Sequence, residues 1–259
     1  MRSNPLVTEV LVGLTRKGSA QLDHLGLLLL QAAVLFVWWH KGDVAELLAS
    51  QHSPYTLAAV VMAMAVAMAY IALRAGAEVI LLPGQHGLRD WALATPLDLG
   101  RILRGYLVGQ LVHSLHLLAL SSPMLLMAFT VSGGEWAALG WCVAAALLQA
   151  LFYRLCGAIT HLAMGHEAES IYTILLVVVY VPLGWFVPVT SHLAFTSRAL
   201  GETVATQAAI VEAPDPVGFL AIYAGLSVLA TLVLYLLLLR ERRRMAGPTD
   251  RAGFGEAVT

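Results

Sequence analysis

An all-α polytopic membrane protein with six transmembrane helices is the fold class that the sequence predicts, and three observations predict it. Of the 259 residues, 59% are hydrophobic and only 12% are charged, against a charged share of about 25% in soluble globular domains. The apolar residues gather into long uninterrupted stretches, and the basic residues fall almost wholly to one side of them. The first observation excludes an ordinary soluble enzyme. With a mean hydropathy of +0.78, domain count becomes a count of bilayer crossings.

Residues 1–22 precede the first apolar stretch. Leu6, Val10, Leu11 and Leu14 recur at helical spacing with Glu9, Arg16 and Lys17 between them, which predicts a short amphipathic helix in the membrane interface. The other reading is a frayed tail. No basic leader runs directly into an apolar core and a small-residue cleavage site, so no cleaved signal peptide is expected. Residues 23–239 form the transmembrane domain. Its six apolar stretches run from about Leu25 to Trp39, Tyr55 to Leu73, Ile102 to Val131, Trp136 to Met164, Ile171 to Val189 and Val217 to Leu239. The first is short of the roughly 20 residues a spanning helix needs, so Asp23, His24 and His40 are expected at its interfaces. The third and fourth are long enough to tilt or project. Pro123 in the third span, and Pro182 and Pro188 in the fifth, remove backbone donors and favour kinks. Residues 240–259 read as a basic, disordered cytoplasmic tail whose arginines stop translocation and meet anionic lipid.

Orientation follows from the basic residues. With the N-terminus inside, only Lys41 and Arg198 lie outside, and 13 of the 15 Lys and Arg residues, Arg154 among them, count as cytoplasmic. Both termini are therefore expected in the cytoplasm, which requires an even number of spans. The long connection from Thr190 to Pro216 then lies outside, with room for two short helices on the membrane surface.

Chemistry-bearing patterns are few. No GxxxxGK[ST], GxGxxG, HExxH or GxSxG occurs in the sequence, so the chain has no ATPase motif of its own and no catalytic residues are assigned. Cys142 and Cys156 lie 14 positions apart on one predicted helix, about 21 Å along its axis, too far to bridge each other. His113 and His116, three apart near the middle of the third span, are a candidate polar path with Gln110 and Ser114. Alternatively they are neutral histidines hydrogen-bonded between helices. A haem held by two histidines needs one from each of two helices at equal depth, and the sequence offers no second helix for it. Two histidines also leave a zinc or copper site short of ligands, so no metal is expected. His161, His166, Glu167 and Glu169 read as a solvated loop pairing with Arg154 or with neighbouring basic loops.

The connection between the second and third spans carries the most information. Leu88, Trp91 and Leu93 or Leu97 supply an apolar side, Arg89 and Asp90 a polar one, and Pro96 an end, which together predict a short helix over Gly87 to Leu97. Asp98 is an acceptable N-cap for a new helix running into the third span.

These residues resemble the ABC-2 family of ATP-binding-cassette permeases. Gly87 precedes Pro96 by nine positions, Thr95-Pro96-Leu97 stands where that family has Ser-Pro-Leu, and Tyr106 falls ten beyond Pro96, after Gly105. Leu88 departs from the family's small hydroxyl residue and Tyr106 from its lysine, with Arg104 nearby as a charge. Glu78 upstream, and Pro123 followed by Gly133-Gly134, also resemble the family. The resemblance implies the transmembrane subunit of an exporter in the inner membrane. Its partners would be separate ABC ATPase subunits, a second permease subunit (the same chain or another) and membrane lipid, with no nucleic acid. Gly87, Leu88, Arg89, Asp90, Trp91, Leu93, Thr95 and Pro96 would couple to the ATPase, which would carry ATP and magnesium, while this chain would carry no cofactor. The competing readings are a haem- or quinone-associated anchor of a redox complex, resting on His113 and His116, and a non-catalytic assembly subunit.

Overall fold

The computed structural model describes residues 18–39, 54–81, 88, 92–93, 98–132, 135–164, 190, 195–196, 199–200 and 215–245. All but a few of these residues are helical, with no strand among them. Five helices are long and apolar enough to cross a membrane: α1 (Gly18–Trp38), α2 (Pro54–Leu81), α3 (Leu99–Ser132), α4 (Trp136–Met164) and α5 (Pro216–Met245). They agree with five of the six predicted spans. The predicted fifth span, Ile171 to Val189, lies outside the described residues, as do residues 1–17, most of the outer connection and the tail beyond Met245.

Four of the five helices outrun the apolar stretches that predict them, while α4 keeps the predicted bounds, Trp136–Met164. α3 has 34 residues, about 51 Å at 1.5 Å per residue, against a hydrocarbon core of about 30 Å. Its start matches the predicted cap: the Asp98 carbonyl accepts the amides of Arg101 and Ile102 at 3.0 and 3.1 Å. At the head of α5, Pro216 takes the first helical position and an Asp215 carboxylate oxygen accepts the Gly218 amide at 3.1 Å, an arrangement that satisfies an otherwise orphaned donor. Pro123 sits inside α3 without ending it. The carbonyl of Ala119, deprived of its amide partner by that proline, accepts the Ser122 hydroxyl at 2.8 Å. Refilling of this kind lets membrane helices tolerate proline.

Helices α1 to α4 alternate in direction. At one end the Trp38 carbonyl accepts the Thr56 hydroxyl at 2.8 Å, the Ser132 hydroxyl accepts the Leu57 amide at 3.2 Å, and Phe129 packs on Trp136 with ring centroids 4.2 Å apart. Towards the other end, Arg74 of α2 donates to Asp23 of α1 at 2.9 Å. Both side chains keep some solvent, so Asp23→Ala should cost only about 1 kcal/mol or less in a detergent melt, measured against its own Arg74→Ala double-mutant cycle.

The core runs along α2. Ala65, Ala69, Ala72 and Gly76 on α2, and Ala138, Cys142, Ala146, Ala150 and Ala158 on α4, are all buried and recur at steps of three, four or eight residues. Small residues at that spacing let two backbones approach closely and gain dispersion contact, the main attraction available between helices in lipid. The approach is closest where a Cβ built on Gly76 would strike the Arg154 carbonyl oxygen and lie 2.9 Å from its carbon. Large apolar side chains point outward instead: Leu25, Leu29 and Phe36 on α1, Leu111 and Leu115 on α3, and Val228, Leu229 and Leu232 on α5 are exposed. In water such a surface would aggregate, whereas lipid solvates it. The protein is a helical, membrane-embedded one.

Candidate functional site

One stripe of α3 is polar and faces inward. Tyr106, Gln110 and His113 lie four and three positions apart, so they stack along one helix face, and they are 0%, 1% and 2% exposed. Helix α4 brings Arg154 against this stripe, itself 1% exposed. One terminal guanidinium nitrogen of Arg154 lies 2.7 Å from His113 Nδ1, and the other donates to the Gln110 carbonyl at 3.3 Å. A guanidinium can only donate, so His113 accepts at Nδ1 and, as a neutral ring, carries its hydrogen on Nε2.

Two sequence-based expectations are corrected here. His161, expected in a solvated loop, is helical and buried near the end of α4, and Arg154, counted above as cytoplasmic, is buried well inside the same helix. Arg154 lies 18 positions into α4 and is enclosed by the bundle, so it leaves the orientation count. Its uncharged, mostly apolar surroundings from Trp136 onward were the available signal, since a charge in such a run is costly and commonly functional. His166, Glu167 and Glu169 lie outside the described residues. The second correction concerns depth. His24, expected at an interface, brings its ring to 5.8 Å from that of His113 and 5.3 Å from that of His116. A second helix therefore does supply a histidine at the level of the pair. Sequence spacing could not show this, because the offset between α1 and α3 depends on how far α3 projects.

The predicted polar-path residues divide accordingly. Gln110 and His113 meet at Arg154. Ser114 is buried but makes no bond to Arg154, and His116 is exposed on the rim beside His24. Tyr106, matched by resemblance to a lysine at the head of the span, is buried in the stripe. Neither Cys142 nor Cys156 forms a disulfide.

The cluster is a poor holder of a metal or haem. A cation would face the Arg154 guanidinium, and His113 has spent its lone pair on that guanidinium. A haem held between two imidazoles needs a slot for the macrocycle, and the His24 and His116 rings meet edge to face, at 68°. Among the described residues, no group of three or more His, Cys, Asp or Glu is arranged to hold a metal ion. The cluster's character is that of a buried cation with donors to spare. The Nε of Arg154, the Tyr106 hydroxyl and the Gln110 side-chain amide are all buried with no hydrogen-bond partner, and no carboxylate among the described residues pairs with Arg154. The cleft of about 710 Å³ between α1 and α3 lies elsewhere, lined by apolar side chains such as Leu35, Phe36, Met124 and Met127.

Of the predicted coupling segment, Leu88 and Leu93 are described and Gly87, Arg89, Asp90, Trp91, Thr95 and Pro96 are not. Leu88, Ala92 and Leu93 are helical. Leu88 and Ala92, four positions apart, are buried and join the hydrophobic core. Compared with protein-family models, curated proteins and solved structures, the chain matches none.

Proposed function

We propose that this chain is the transmembrane permease subunit of an ABC-2 type exporter of the inner membrane, driven by a separate ATPase. In this reading it spans the membrane six times, with Ile171 to Val189 as the fifth span and both termini in the cytoplasm. It pairs with a second permease subunit and docks onto its ATPase through Gly87 to Leu97. The observation that carries the reading is the length of α3, which makes it a lever. α3 exceeds the hydrocarbon core by about 20 Å; its exposed Arg101 and Arg104 stand at the end that follows the connection, and Leu88 and Ala92 anchor that connection to the bundle. A stiff helix transmits at its far end a displacement applied at its near end. Closure of a docked ATPase would move the connection, and α3 would carry the movement to the interior of the bundle.

Trp91→Asp tests this. The substitution replaces a large aromatic group of the docking segment with a charge, so the ATPase should be lost from the purified complex while the permease still runs as a folded species in detergent. Unchanged co-purification and unchanged transport would remove the coupling assignment. The redox-anchor reading has one observation in its favour, the meeting of His24, His113 and His116. A Soret band in the purified protein would replace the permease reading with it.

A further inference from the structure

We propose that Arg154, with Tyr106 and Gln110, binds a phosphate-type oxyanion inside the bundle. The starting point is an imbalance of charge. A guanidinium has five N–H donors, and Arg154 spends two of them, on the Gln110 carbonyl and on His113 Nδ1. Its Nε stays buried without a partner. Both groups it does meet are neutral. A buried cation left without an opposite charge is strongly disfavoured in an interior shielded from water, and more so within a membrane. No carboxylate among the described residues offsets it, and a bound anion would supply the compensating charge.

The surroundings select the ligand's chemistry. Tyr106 and Gln110 each present a buried, unspent polar group on the α3 stripe that faces Arg154. With the three unspent guanidinium hydrogens, the phenol and the amide bring the donors to six. A carboxylate offers about four acceptor positions in one plane. A tetrahedral phosphate presents its oxygens in three dimensions, which suits donors on two helices, and guanidinium is the side-chain group best matched to it. His113 acts as a positioning residue: its Nδ1 fixes the guanidinium and turns Nε outward from that bond. Entry lies on the α1 side, where exposed His116 and half-buried His24 form the rim and α1 leaves most of its apolar surface outside the bundle. A free phosphate and a phospholipid headgroup share this chemistry.

The experiment is a thermal melt of the full-length protein, read by tryptophan fluorescence, and it needs no ATPase, so its outcome is separate from that of the permease reading. In lipid-free detergent the protein is titrated with inorganic phosphate against sodium chloride of matched ionic strength. In parallel, nanodiscs of phosphatidylcholine are compared with nanodiscs containing phosphatidic acid. Saturable stabilisation by inorganic phosphate supports a free oxyanion ligand; stabilisation by phosphatidic acid alone supports a headgroup. In either case Arg154→Gln should abolish it and Tyr106→Phe should weaken the apparent affinity about tenfold, the expected loss of one hydrogen bond to a charged group. Absence of stabilisation in both arms overturns the proposal, as does equal stabilisation of Arg154→Gln. If Arg154→Gln fails to fold, Tyr106→Phe decides: wild-type affinity in that variant overturns the site.

Discussion

Gly76→Leu is expected to leave little folded protein in detergent, seen as loss of the monodisperse peak in size-exclusion chromatography. At most helix contacts a larger residue pushes aside a flexible neighbour, at a cost of about 1–3 kcal/mol. At Gly76 the neighbour is the carbonyl of Arg154, and backbone hydrogen-bonded into a helix has no other rotamer. Relief requires α2 and α4 to separate, which loosens the alanine contacts along their whole length. The cost should reach about 3 kcal/mol or more, a large part of a total stability of about 5–15 kcal/mol. Gly140 is the control. Nothing lies within 4 Å of a Cβ built there, so Gly140→Ala should stabilise α4 by about 0.5–1 kcal/mol through the smaller entropy loss of alanine in a helix. Equal behaviour of the two variants would contradict the close crossing.

His113→Leu should destabilise the protein more than Arg154→Met, although the second change removes the larger and charged side chain. Replacing His113 takes away the lone pair that Arg154 meets at 2.7 Å and leaves the cation buried with one neutral carbonyl. Breaking a buried charged interaction on one side costs about 3–5 kcal/mol. Arg154→Met removes the charge and the need to compensate it, and methionine fills much of the same volume. It should be neutral or stabilising in the melt, while abolishing stabilisation by phosphate. Reversal of the order, with Arg154→Met the worse of the two, would show that the arginine supports the bundle rather than a ligand. The predicted pattern, a stability gain with loss of binding, is the usual mark of a polar group kept for use and not for folding.

The class of the fold was legible because the bilayer imposes a coarse rule on sequence. A spanning helix must be apolar for about 20 residues, and five of the six stretches so identified stand as helices. Asp98 announced the head of α3 for a local reason, since a cap depends only on residues within one turn. Helix length was less legible. Backbone hydrogen bonding runs on through polar residues until something ends it, so α3 starts at Leu99 and not at the first apolar residue of its span.

Sequence by itself determined that the protein is helical and membrane-embedded, because hydropathy and length are properties of each segment taken alone. It also marked His113 and His116 as polar groups deep in a span. Only the tertiary structure decided what they meet. The axial offset between neighbouring helices is set by packing, here by alanines and by Gly76 seated on α4, and no single segment encodes it. That offset brings His24 to the level of His113 and His116, turns Arg154 inward onto the α3 stripe, and makes a charge counted as cytoplasmic the buried cation around which the candidate site is built.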